Sequence, residues 1–207
     1  MARPGPDRAA PRATLPLLAG AWLLAAVLPA MAAQPADVGA LMALLGRVQR
    51  VEVSYQETVE SGLIDTAIST RGHLVYEAPD RVRRLSDKGE GFVLDGDRMQ
   101  LVSGGQVVNE LVVSDVAPLE AMVGALRATF AGDLAALRAD YTLDYRPADD
   151  HWTLDLSPRG SDLTDLFRRI HMVGDRATIS TIAMEEPDRD RRTLRMRVLA
   201  REPAELD

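Results

Sequence analysis

Val51-Glu52-Val53-Ser54-Tyr55-Gln56-Glu57-Thr58-Val59 alternates: its odd positions carry Val51, Val53, Tyr55, Glu57 and Val59, its even ones Glu52, Ser54, Gln56 and Thr58. A period of two sends successive side chains to opposite faces, so this segment is a strand with one dry and one wet side. The same rhythm continues downstream. Thr66 to Glu77 sets Ile68, Leu74 and Tyr76 against Ser69, Arg71 and His73, and Pro79-Asp80 ends it. Arg81–Leu85, Phe92–Asp95, Arg98–Val102 and Val107–Val113 are short strands parted by Gly89, Asp95-Gly96 and Gly104-Gly105. Glycine accepts the positive φ of hairpin turns, so the stretch reads as an antiparallel meander.

Upstream and downstream of the meander the period lengthens. In Asp37 to Arg50, Val38, Leu41, Met42, Leu45 and Val48 form one helical stripe behind an Asp37 cap. Between Ser114 and Arg138, Leu119, Met122, Val123, Leu126 and Phe130 form another, capped by Ser114 or Asp115, stopped at Gly132 and resumed from Asp133 to Leu137. Five more strands follow, Tyr141–Arg146, His151–Ser157, Phe167–Val173, Thr178–Glu185 and Arg191–Ala200, about eleven in all. Such a sheet must cover its apolar face, and the cover available is the two helical segments. The expected fold is α+β: one large curved antiparallel sheet, an unclosed barrel, over amphipathic lid helices. At 1.5 Å per residue those helices reach roughly 20 and 30 Å, so the sheet is either tightly collapsed or encloses a cavity.

Residues 1–32 read differently. Arg3, Arg8 and Arg12 precede an apolar run from Leu15 to Leu28, and Ala30-Met31-Ala32 supplies small residues for cleavage, the layout of a secretory signal. Its loss removes three Arg and one Asp, so a net charge of −7 becomes −9 on a single domain spanning 33–207. That balance argues against nucleic acid as a partner. The chain has no cysteine, which rules out disulfides, thiolate metal sites, a cysteine nucleophile and N-terminal lipidation at cysteine. An acidic, exported, periplasmic monomer is expected.

Catalytic constellations are sparse. His73, His151 and His171 lie on separate strands without metal-ligand spacing, and Ser61-Gly62 and Ser103-Gly104-Gly105 read as turns rather than nucleophile elbows. Asp95-Gly96-Asp97, Asp149-Asp150 and Glu185-Glu186-Pro187-Asp188 also fall where turns are needed and lack the spacing of a calcium loop. No enzyme activity, cofactor or metal is therefore expected, and a hydrolase is the weakest of the readings. Arg189, Arg191, Arg192, Arg195, Arg197 and Arg201 alternate with Leu194, Met196 and Val198, a solvated outer face or a patch for an anionic partner. Six methionines (Met42, Met99, Met122, Met172, Met184, Met196) sit on apolar faces, where their adaptable side chains suit ligands of variable shape.

In the order and spacing of its blocks, the span from Val38 to Ala200 resembles the outer-membrane lipoprotein carrier LolA and its relatives. Val53-Ser54-Tyr55-Gln56 resembles the family's aromatic-x-Gln strand, and Gly72-His73-Leu74-Val75-Tyr76-Glu77-Ala78-Pro79-Asp80 its Gly-x-Leu-x-x-x-x-Pro block. Val93-Leu94-Asp95-Gly96-Asp97-Arg98-Met99 resembles its Asp-Gly hairpin, Trp152-Thr153-Leu154-Asp155-Leu156-Ser157-Pro158 its strand exit, and Ile179–Glu185 its late strand. The resemblance implies a carrier that shields the acyl chains of a lipid or lipoprotein, taken from an inner-membrane donor complex and delivered to an outer-membrane acceptor. On that reading Val53, Tyr55, Leu74, Tyr76, Val82, Met99, Leu101, Leu154, Leu156, Ile182, Met184, Met196 and Val198 line the cavity, by alternation. Leu41, Met42, Leu45, Met122, Val123 and Leu126 form the lid.

Two departures stand out. Ala78 occupies the place of the family's lid-fastening Arg, and Arg81-Val82-Arg83-Arg84-Leu85 replaces its aromatic positions. This points to a divergent member serving another lipid, a lipid-linked pigment or a glycolipid. Arg84 shares the parity of Val82 and is expected to aim a cation at an anionic headgroup. The alternative is a sensor or adaptor of the same fold that binds lipid or a membrane-protein partner and regulates envelope assembly.

Overall fold

The computed structural model describes residues 33–62, 64–188 and 190–206; the expected signal segment and Arg189 lie outside the described residues. The chain opens with α1 (Val38–Leu45), then β1 (Arg50–Ser61), β2 (Ile64–Glu77), β3 (Arg81–Ser86), β4 (Gly91–Asp95), β5 (Arg98–Ser103) and β6 (Gln106–Val112). A short 3-10 turn, α2 (Ala117–Phe130) and α3 (Leu134–Asp140) lead to β7 (Tyr141–Pro147) and β8 (Trp152–Pro158). After α4 (Ser161–Thr164) come β9 (Arg169–Asp175), β10 (Thr178–Glu185), β11 (Arg191–Glu202) and a final 3-10 turn.

The eleven strands form one sheet in the order β6-β5-β4-β3-β2-β1-β11-β10-β9-β8-β7, with antiparallel neighbours throughout. The chain therefore starts mid-sheet, walks out to the β6 edge, crosses through α2 and α3 to the β7 edge, and walks back until β11 lies beside β1. The sheet does not close: β6 and β7 remain its two edges. This is the α+β arrangement that the alternation implied.

α1 is shorter than its stripe suggested. Asp37 caps it, its carboxylate accepting from the Ala40 N–H at 2.8 Å, but the helix stops at Gly46. The Gln49 N–H donates to the Glu202 carbonyl, and Arg50 pairs with Glu202 in the ladder, so the sheet claims the backbone that periodicity assigned to a helix. Val48 leaves the stripe for a small second cluster with Ala177 and Leu206. The capping expectation for α2 also changes. Its N-cap is Val116, while Ser114 is held by Asp97 through both its N–H (3.2 Å) and its hydroxyl (2.6 Å). Asp133 caps α3 as expected, accepting from the Ala136 N–H at 2.9 Å. Gly132, at φ +68°, makes the turn between α2 and α3; a Cβ there would run into the Met42 carbonyl of α1.

One apolar cluster joins the helices to the sheet's inner face. Tyr76 stacks on Phe130 of α2 with centroids 4.7 Å apart, and Tyr141 on Phe167 at 6.2 Å. Trp152 is fully buried and its indole N–H donates to the Arg176 carbonyl at 3.0 Å.

Candidate functional site: the helix-covered inner face

Alternation places the inner-face residues where the sequence set them. Val53, Tyr55, Leu74, Tyr76, Val82, Met99, Leu154 and Leu156 are buried. Leu101, Ile182, Met184, Met196 and Val198 are partly buried against the same cluster. Leu41, Met42 and Leu45 of α1 and Val123 of α2 cover them, with Leu126 partly buried alongside. Met122 departs from the expectation, being 43% exposed. The inward stripe of α2 runs through Leu119, Val123, Leu126 and Phe130, and Met122 falls on its flank.

Of the two possibilities left by the helix lengths, the sheet takes the collapsed one. The space between α1, the end of α2 and strands β1, β2, β10 and β11 is a cavity of about 30 Å³, bordered by Leu45, Val53, Leu74, Phe130, Met196 and Val198. That is room for roughly two waters, whereas small-molecule sites run to about 300–1,000 Å³.

Among the described residues, polar contacts pin the helical cover to the sheet at two places: just ahead of α1, where Gln34 bonds Asp175 and the Arg176 N–H and the Tyr145 hydroxyl donates to the Pro35 carbonyl at 2.7 Å, and at the β4–β5 turn. The Val113 N–H donates to the Asp97 carbonyl at 2.9 Å, the Asp97 carboxylate holds Ser114, and the Arg127 guanidinium of α2 donates to the Gly96 carbonyl. The Arg127 Nε is buried without a hydrogen-bond partner. Asp95-Gly96-Asp97 is the turn that its sequence predicts, and it has a second, unpredicted task as an anchor of the helices. An Arg-to-carbonyl contact has no signature on the acceptor's side chain.

Further along the same face the layer becomes charged. Arg84 does point inward, but Glu57 accepts from it at 2.5 Å and from Arg192 at 3.3 Å. Arg192 also approaches Glu186 at 3.9 Å. The Arg84 guanidinium lies 4.6 Å over the Tyr55 ring, a cation–π contact that the neighbouring glycine allows. Gly72 faces Tyr55 across the β1–β2 ladder and leaves the ring bare. A Cβ on Gly72 would also run into the Leu85 carbonyl. Burial raises the Tyr55 pKa; Arg84 opposes this, while Glu57 and Asp87 add to it. A solvated outer face, the first of the two expectations for the arginines of the last strand, does not hold for Arg192. It shares parity with Leu194, which pairs with Glu57, so it belongs to the inner side. Its signal was available in the period-two reading, as was that of Glu57 in the odd set of β1.

The remaining candidates lie elsewhere. Arg195 and Arg197 join Arg71, His73 and Asp87 around an outer-face cleft of about 390 Å³. Arg201 donates to the Thr178 hydroxyl at 2.6 Å, and burial, with Arg176 nearby, lowers its pKa. His171 faces Asp155 at 2.8 Å on the outer side, and His151 meets Asp150 at 2.6 Å beside the β7–β8 turn. Among the described residues no group of three or more His, Asp or Glu could hold a metal ion, and no helix is long and apolar enough to cross a membrane.

This chain is similar to one family model and to several solved structures. The family model described as outer membrane lipoprotein carrier protein LolA-like matches residues 30–204. No curated protein matches the chain. Among solved structures, a LolA superfamily protein from Nitrosomonas europaea is 10% identical, with 77% of this chain and 91% of that chain covered and a TM-score of 0.41. A DUF1329 family protein from Desulfovibrio piger is 10% identical, with 79% and 92% covered and a TM-score of 0.46. A domain described as an outer membrane lipoprotein-sorting protein, from Vibrio parahaemolyticus, is 7% identical, with 73% and 86% covered and a TM-score of 0.36. The family model spans nearly everything that the sheet and its helices are built from, and the chain belongs to the LolA-like outer membrane lipoprotein carrier family.

Proposed function

We propose that the protein is a non-catalytic periplasmic carrier, exported by cleavage after residue 32, that shields the acyl chains of an amphiphile between its helices and the inner face of its sheet. The observation that carries this reading is the construction of the cover. α1 and α2 meet the sheet through one continuous apolar layer, while the polar anchors to the sheet lie at the margins of the cover, at the β4–β5 turn and just ahead of α1. A layer held by non-directional contacts can exchange one apolar partner for another. An acyl chain that displaces the helices re-covers Leu74, Tyr76 and Val82 without leaving a polar group unpaired.

Magnitudes favour a shuttle over a store. A chain of 16 carbons is worth on the order of 13 kcal/mol at ~0.8 kcal/mol per buried CH₂, close to what a membrane offers the same chain. Release from one and uptake by the other then run near balance, and the cost of lifting the helices sets the direction. Met42, Met99 and Met172 within the buried layer can repack around chains of different length.

The test is native mass spectrometry of the protein purified from its own periplasm, followed by organic extraction. A co-purifying lipid or acylated passenger is expected. A protein that is consistently empty and also fails to take up a fluorescent acyl probe would overturn the carrier reading and leave the sensor or adaptor reading in its place.

A further inference from the structure

Resting on the carrier reading, we infer that the cargo bears an anionic headgroup, and that Glu57 stands in for it in the empty protein as the resident counter-ion of Arg84 and Arg192.

The inner face holds charged side chains where a core would hold none. Side chains directed to a core are normally apolar, because an ion taken from water loses several kcal/mol of hydration that only good partners restore. Here three charged residues share the inner parity of β1, β3 and β11, and the side chains of Glu57 and Arg84 are only 12% and 21% exposed. Glu57 alone reaches both guanidiniums within hydrogen-bond distance, through Oε2 to Arg84 and through Oε1 to Arg192. The other acidic groups nearby are Glu186, 3.9 Å from Arg192, and Asp87, which acts on Tyr55. The Arg84 Nε is buried and has no hydrogen-bond partner. A guanidinium carries five donors in a planar fork, so the pair has more donors than Glu57 can accept from.

The position of the cluster supplies the rest. In the ladders Arg84 lies opposite Leu74, Glu57 opposite Leu194, and Tyr55 opposite Met196. The charged group therefore borders the apolar layer directly. An acyl chain laid along that layer brings its polar end to these arginines, and a phosphate or carboxylate there accepts the donors that Glu57 now takes. The Tyr55 ring keeps Arg84 in place during the exchange.

The experiment compares two probes with the same chain, 16:0 lysophosphatidylglycerol and uncharged 1-palmitoylglycerol, which lacks the phosphate. Each displaces a fluorescent acyl probe from the delipidated protein below its aggregation concentration, and palmitate serves as the carboxylate counterpart. The expected result is about tenfold tighter binding of the anionic lysolipid, the difference one charge-assisted contact makes. Glu57→Gln should tighten the anionic lysolipid further, several-fold, relative to the uncharged probe. Arg84→Gln combined with Arg192→Gln should erase the preference. Equal binding of both probes, or a Glu57→Gln protein weakened equally towards both, would overturn the headgroup assignment while leaving the carrier reading intact. Binding of no probe would overturn both. If the double variant fails to fold, the wild-type ratio and the Glu57→Gln shift still decide the matter.

Discussion

The two ends of the inner face are made from the same strands yet differ in what covers them. Along β2, Tyr76 and Leu74 lie buried under α1 and α2, while Ile68, of the same parity, is 62% exposed. Along β1, Val53 and Tyr55 are buried and the next inner position is Glu57. Length explains the difference. β1 and β2 have 12 and 14 residues, and α1 and α2 have 8 and 14. At ~3.3 Å per residue the strands run about 40–46 Å, and at 1.5 Å the helices run about 12 and 21 Å. The helices cannot reach the far end, and the face turns charged where they stop. Alternation decides which side a residue faces; the length of the opposing element decides whether that side is dry.

The largest effect is expected from replacing a covered residue. Tyr76→Ala removes the ring stacked on Phe130 and the hydroxyl that donates to the Pro79 carbonyl at 3.0 Å. A loss of about 3–5 kcal/mol is expected from chemical denaturation, the range for deleting a buried aromatic side chain. A loss under 1 kcal/mol would mean that α2 collapses into the space, and that the layer is more fluid than its packing suggests.

A pH titration probes the covered region next. Burial, with Asp140 as a lesser cause, pushes the Tyr141 pKa up to about 12 from an ordinary value near 10. The core holds the neutral phenol, so its contribution is whole below pH 10 and is lost as pH rises through 12. Two units correspond to on the order of 2–3 kcal/mol. Tyr55, Tyr76 and Tyr145 are raised by burial as well, so wild-type stability should fall over this window. Tyr141→Phe should lose distinctly less between pH 10 and 12; an identical decline would show that Tyr141 ionises without penalty.

How much of this was legible in the sequence depended on the range of the interaction. The strands and their faces could be read because a period of two is local, and the odd set of β1 already contained Glu57. The end of α1 could not, because the Gln49 N–H is claimed by Glu202 from the far end of the chain. Nor could the partners of Glu57: Arg192 arrives through the β1–β11 register, and Arg84 crosses over Gly72 from the strand beyond. Met122 illustrates the converse error, since a helical stripe read too wide includes its flank. The turn Asp95-Gly96-Asp97 was visible, but its grip on the helices needed Ser114 and Arg127 brought beside it.

That grip separates the cover from the sheet it lies on. Arg127→Ala deletes the donor to the Gly96 carbonyl and should cost about 1.5–3 kcal/mol, the scale of a hydrogen bond from a charged group. Its mark is regional. Amides of α2 should exchange faster while those of β1 and β2 keep their protection, measured by hydrogen exchange with mass spectrometry. Unchanged α2 exchange would mean that apolar packing alone holds the helix down.

The smallest effect is expected at the uncovered end. Ile68→Ala removes an apolar side chain of the same parity as Tyr76, on the same strand, at a site that stays largely in water. If helix length sets the boundary, the change should stay within about 0.5 kcal/mol, as for other exposed positions. A larger loss would mean that something covers Ile68 in solution, and the dry face would then extend past Glu57 to the tip of the β1–β2 hairpin. The charged cluster would in that case lie inside the apolar layer instead of at its border, and an acyl chain could not lie along the layer and end at Arg84.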